Sequence, residues 1–146
     1  MMNRIGGIYL LAVAVVVAVH TVVEPLYHVS SEGQPYSPLW SILNPLMAVA
    51  IVLGAAVAWR CKRAVDQEGD DAPVSRAFVI ANAMFYGFVF FGIMYLWNWF
   101  NLLSPGFTAI EEGTVSLVWI VVDAGLPLLW GAAGVALLRD GGQKSD

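Results

Sequence analysis

The sequence predicts an all-α, integral membrane, antiparallel four-helix bundle with both termini inside. Three observations predict it. Four long apolar stretches, near 5–23, 39–59, 77–100 and 115–138, are separated by polar connections. Each meets the requirement of about 20 apolar residues for a helix that crosses the hydrocarbon core. Composition agrees, because 59% of the chain is hydrophobic and only 12% is charged, whereas an ordinary soluble domain carries about 25% charged residues. Finally, all seven Lys and Arg residues fall on one side of the membrane so drawn. Arg4 precedes the first stretch, Arg60, Lys62, Arg63 and Arg76 lie in the second connection, and Arg139 and Lys144 follow the last stretch. Basic residues near helix ends are retained in the cytoplasm, so this orientation places both ends and the middle connection inside. The expected location is a cell membrane of the prokaryotic inner-membrane type, with residues 1–146 as a single multi-pass domain.

The first helix is expected over 5–23. Its apolar core exceeds the 7–15 residues typical of a cleaved signal peptide, and no small-x-small site follows it, so it reads as a retained helix. Pro25 is expected to end or kink it. Gly33 and Pro35 mark a turn in the connection that follows. Ser37-Pro38 resembles an N-cap followed by proline at the first helical position, opening helix 2 over 39–59. Pro45 lies one turn into that helix and leaves the carbonyl of Ser41 without its helical donor. The connection from Arg60 to Arg76 is the most hydrophilic segment, with the acidic run Asp66 to Asp71 and then Ala72-Pro73 opening helix 3. Helix 3, over 77–100, ends in an aromatic cluster from Tyr95 to Phe100 of the kind that favours the headgroup layer. Ser104-Pro105-Gly106 reads as a turn, and Thr108-x-x-Glu111 matches a capping box ahead of helix 4. The tail over 139–146 is expected to be disordered.

Small residues at four-residue spacing let helix backbones approach in lipid. Ala50, Gly54 and Ala58 form such a ladder on helix 2, and Ala14 and Ala18 form one on helix 1. Gly131 and Gly134 thin the inner half of helix 4. These positions concern packing and carry no function by themselves.

Charge restricts the partners. The net charge is −4, and the outer connections hold Glu24, Glu32, Glu111 and Glu112 with no base beside them. That acidic side argues against nucleic acid as a partner. It suits a basic partner or a cation, or simply keeps the loops solvated. Cys61 is the only cysteine, so no internal disulfide forms. It reads as a passive reduced thiol.

Asp123 is the sharpest residue. A carboxylate within a membrane helix costs about 2.5–3.5 kcal/mol on insertion scales and must face the bundle interior and find a partner or a proton. Pro127 cannot donate to the carbonyl of Asp123, so a carbonyl and a carboxylate coincide there. That pairing suits a cation or proton site, with Asn82 and Asn44 as companions. The structural alternative makes Asp123 a hydrogen-bond partner of Asn82, Asn44 or a tryptophan N–H. On helix 3, Asn82, Tyr86, Trp97 and Asn101 fall roughly on one helical face.

His20, Glu24 and His28 form a four-residue ladder, and on an unbroken helix they share a face. Imidazole and carboxylate there suit a divalent transition metal. His20 is also a conceivable axial ligand to haem or chlorin, although a second histidine would have to come from a partner. The sequence itself names no cofactor. No nucleophile stands beside a recognisable base, so an enzyme is not expected. The preferred expectation is a non-catalytic accessory or structural subunit of a larger membrane complex, with the lipid bilayer and other membrane proteins as partners. The alternative is a small oligomeric cation- or proton-coupled transporter that uses Asp123.

Overall fold

Long runs of Leu, Val, Ala and Ile satisfy their backbone groups internally only as helices when water is excluded. Among the described residues there are four helices: α1 (Met2–Tyr27), α2 (Trp40–Asp66), α3 (Arg76–Leu103) and α4 (Glu112–Gln143). The computed structural model describes residues 2–31, 33–67, 73–104, 106 and 111–143. Glu32, the acidic run from Glu68, Ala72, Pro105, Thr108 and Lys144 lie outside the described residues, as does the side chain of Glu112. All four helices are long and apolar enough to span a membrane.

The helices overrun the apolar stretches, because hydropathy marks where lipid could be and not where backbone hydrogen bonding stops. Pro25 does not end α1, which runs on to Tyr27. The amide of His28 still donates to the carbonyl of Glu24 at 2.9 Å, and the side chains of Glu24 and Tyr27 are tied to the next segment. Past Trp59, α2 continues to Asp66, where Lys62 and Asp66 form a one-turn ion pair at 2.7 Å. The tail assigned to disorder from residue 139 is helical through Gln143.

The helix starts also differ in detail. Ser37 does not cap α2 directly. Its hydroxyl accepts from the amide of Leu39 at 3.3 Å, and one-residue-shorter turn bonds then lead into Trp40. On α3 the cap is Ser75, whose hydroxyl accepts from the amide of Phe78 at 3.1 Å. Gly33 adopts φ 86°, a left-handed conformation suited to glycine, within the tight turn closed by Ser31 and Gln34.

Packing is antiparallel. α1 lies chiefly along α4 and α2 along α3, α2 and α4 touch across the centre, and among the described residues the backbones of α1 and α3 stay apart. Close approach depends on glycines. A β-carbon on Gly7 would lie 2.9 Å from the carbonyl oxygen of Gly134, so these two backbones meet directly. Gly54 receives the ring of Phe88, and Gly125 receives the ring of Phe91. Gly131, by contrast, faces open space. Ala50, Gly54 and Ala58 all face the core.

The face of α3 that packs is Ala81, Phe88, Gly92, Tyr95 and Asn98. Tyr86 and Trp97, expected to fall on one helical face with Asn82 and Asn101, are exposed. The reason is physical: α3 is apolar all round, so small residues and not polarity decide which side admits a neighbour.

Candidate functional site

Among the described residues, the buried polar side chains are His20, Ser37, Asn44, Asn98 and Asp123. All belong to the same end of the bundle, formed by the C-terminal parts of α1 and α3 and the N-terminal parts of α2 and α4. The opposite end carries the basic residues Arg4, Arg60, Lys62, Arg63, Arg76 and Arg139, and its core is built chiefly from apolar side chains such as Leu10, Ala58 and Leu137, with the indole N–H of Trp130 buried toward the middle. The chain is therefore polarised along its length, with a basic rim at one end and a polar interior at the other.

Within the polar end lies a cavity of about 200 Å³. α4 supplies Asp123 together with Ser116, Trp119 and Ile120, spaced so that they share one helical face. Opposite them stand Thr21 and Glu24 of α1 and Trp40 and Asn44 of α2. Tyr36, from the connection, closes one side, and its hydroxyl is hydrogen-bonded to Ser116 Oγ at 2.8 Å. Leu102 of α3 completes the wall.

Asp123 is only 5% exposed, and its Oδ1 has no hydrogen-bond partner. The Oδ1 of Asn44 is also buried and unpartnered. Unsatisfied acceptors in an apolar interior are costly unless a proton, water or ligand meets them. Proline at position 127 withholds the helical donor from the carbonyl of Asp123, and Pro25 does the same for Thr21. Two cavity-lining residues thus have carbonyls outside the regular helical ladder.

Glu24 is held firmly. Its Oε1 accepts from the amide of Ser37 at 2.6 Å and its Oε2 from the indole N–H of Trp40 at 2.8 Å. This carboxylate pins the connection and the start of α2 onto α1. Beside it, Tyr27 bonds His20 Nδ1 at 3.0 Å and Ser37 Oγ at 3.1 Å. One phenolic proton serves only one of these acceptors at a time, so the His20 tautomer and the Tyr27 hydroxyl orientation are coupled. His20 packs on Trp40, with ring centroids 4.6 Å apart, and its Nε2 is buried without a partner.

The structure divides the sequence-derived candidates. Asp123 and Asn44 share the cavity, and Glu24 joins them. Asn82 does not. Phe91 packs on Gly125, and Gly87 meets Leu129, so the level of Asp123 on α3 lies beyond Phe91, toward Tyr95. Asn82 bonds the carbonyl of Phe78 within its own helix at 2.9 Å. The ladder of His20, Glu24 and His28 is not assembled as a ligand set: Glu24 is committed to Ser37 and Trp40, and His28 lies past the end of α1. Among the described residues, no group of three or more His, Cys, Asp or Glu is placed to hold a metal ion. The Nε2 that a tetrapyrrole iron would need on His20 is buried.

Sequence reasoning missed Tyr36, Trp40, Trp119 and Ser116 as parts of the site. A signal was present in α4, where Ser116 and Trp119 precede Asp123 at helical spacing. It also missed Asn98, which is fully buried and donates to the carbonyl of Val115 at 3.1 Å, joining α3 to the start of α4. Tyr95 similarly donates to the carbonyl of Asn44 at 2.6 Å and fixes α2 against α3 beside the cavity.

A second cavity, of about 270 Å³, lies between α2, α3 and α4 at the basic end, and Cys61, Met84 and several alanines line it. Comparison with protein-family models, curated proteins and solved structures returned no match.

Proposed function

We propose that this chain is a multi-pass membrane protein with both termini on the cytoplasmic side and that its working part is the cavity at the acidic end, which binds a cation or a proton at Asp123. The observation that carries this reading is a nearly fully buried carboxylate with an unpartnered oxygen, in the wall of a cavity that holds a second carboxylate. An acid inside a membrane helix is expensive and marks ion or proton pathways. The orientation rests on the basic residues gathered at one end of the bundle. Cation- or proton-coupled transport by an oligomer of this chain is the activity that follows. The test is flux into proteoliposomes under an imposed cation or proton gradient. Flux that Asp123→Asn abolishes without loss of reconstituted protein supports the reading. Equal flux in both proteins overturns it.

A second reading, an accessory subunit of a larger membrane complex, is favoured by α3. Tyr86, Phe90, Ile93, Trp97 and Phe100 are all exposed at alternating spacings of three and four residues, which gives one continuous apolar and aromatic face. A partner helix or lipid would cover it. Extraction in mild detergent at native abundance separates the two: a large particle with partners in fixed stoichiometry supports the subunit, and a lone small oligomer counts against it.

A further inference from the structure

We infer that the ligand of the Asp123 cavity is a small organic ammonium ion; this rests on the reading of that cavity as a cation site. Three aromatic side chains, Tyr36, Trp40 and Trp119, line the same space as Asp123 and Glu24. Aromatic faces attract cations through the ring quadrupole, most of all cations that shed their water easily, and quaternary ammonium recognition uses such walls. Hard divalent ions instead take about six or more oxygen ligands. Most side-chain oxygens along this cavity are already engaged: Thr21 Oγ1 donates to the carbonyl of Val17, the hydroxyls of Tyr36 and Ser116 bond each other, and both Glu24 oxygens accept N–H donors.

Size and charge agree. About 200 Å³ has room for several waters, or for an ion that carries carbon substituents. Asp123 supplies the counter-charge from within the wall. The ammonium charge would sit beside the Asp123 carboxyl group, while the carbon substituents lie against the rings. The cavity border includes Ile120, 60% exposed, and Leu102, 45% exposed. Those are apolar residues on the outer surface, which the membrane reading gives to lipid. The ammonium therefore has two possible sources, a free amine or the amine headgroup of a phospholipid.

The test is calorimetric titration of the full chain in a maltoside detergent at fixed ionic strength, with tetramethylammonium, ethanolammonium, sodium and potassium chlorides in turn. Saturable binding of the organic ions in preference to sodium and potassium is the expected result. Asp123→Asn should weaken it about tenfold or more, as loss of a charge-assisted contact does. The comparison of organic with alkali cations is made on the unaltered chain, so it remains decisive even if Asp123→Asn fails to fold. Native mass spectrometry then separates the sources. Retention of phosphatidylethanolamine over phosphatidylglycerol indicates the headgroup, and binding of the free ions without such retention indicates a soluble amine. Either outcome sustains the ammonium assignment. Saturable binding of sodium or potassium alone, or proton uptake that Asp123→Asn removes with no ammonium binding, overturns the assignment and leaves the cation reading standing. No binding of any cation and no change in proton uptake overturns both.

Discussion

Glu24 and Trp40, sixteen residues apart in the chain, are joined by a 2.8 Å hydrogen bond from the indole N–H to the carboxylate, while the other carboxylate oxygen accepts the amide of Ser37. One side chain thereby fixes where α1 ends and where α2 begins. An aromatic wall of the cavity is set by the same contact.

Glu24→Gln tests that role. A glutamine offers one oxygen where glutamate offers two, so one of the two donors loses its acceptor. Leaving a buried donor unsatisfied costs about 1–3 kcal/mol. The expected outcome is a lower unfolding temperature in detergent and faster proteolysis between Tyr27 and Trp40. Unchanged behaviour in both would mean that water replaces the carboxylate.

At Gly7 and Gly134 the backbones of α1 and α4 meet directly. Gly7→Ala sets its methyl group 2.9 Å from the carbonyl oxygen of Gly134, and the helices must part. Overpacking of this kind costs about 1–3 kcal/mol. Gly131→Ala, where a methyl meets nothing within 4 Å, should be neutral or stabilising. Thermal unfolding of the two variants side by side checks the contrast, and equal destabilisation would refute the packing argument.

Asp123→Asn should separate stability from function. Insertion scales charge about 2.5–3.5 kcal/mol for an aspartate at a membrane helix centre, and the amide avoids that charge while keeping the shape. Stability is expected to hold or rise while cation binding is lost. A variant that loses stability instead would place Asp123 among the structural hydrogen-bonding groups.

The hydroxyl of Tyr95 donates to the carbonyl of Asn44 at 2.6 Å inside the protein. Tyr95→Phe removes that bond and keeps the ring, which also packs edge-on against Trp119 at 5.8 Å. The expected loss is about 0.5–1.5 kcal/mol. Denaturant or thermal unfolding reads it, and no measurable change would show that the bond has no net value.

Orientation is testable through the basic cluster. A reporter fused in the connection between α2 and α3 should register as cytoplasmic. Replacing Arg60, Lys62 and Arg63 with neutral residues should produce a mixed orientation, because these residues supply much of the inward bias. Labelling of single cysteines at the two ends quantifies the mixture, and a fixed orientation in the variant would refute the charge argument.

The four apolar helices were legible in the chain because exclusion of water leaves an apolar segment no other way to satisfy its backbone. Asp123 was legible for the same reason, since a lone acid in such a segment must be accounted for. The glycine and alanine ladders announced close packing, but their partners were not visible: Gly134 meets a backbone and Gly131 meets nothing, although the two look alike in sequence. The boundaries at Pro25 and Trp59 were misplaced because hydrogen bonds made by Glu24, Tyr27 and Lys62 carry the helices beyond the apolar zone.

By itself, then, the sequence determined that there are four long apolar stretches, that their charged ends are unequal and that one carboxylate, Asp123, lies within those stretches. Only the tertiary structure decided what that carboxylate faces. On α3 both sides are apolar, so periodicity could not choose between the Asn82 side and the side of Gly92 and Tyr95. The cavity draws Thr21, Trp40, Leu102 and Asp123 from four separate helices. Contacts between them depend on which helix packs against which, and that choice is made by the fit of rings into glycine gaps across the bundle, not by any pattern along one strand of sequence.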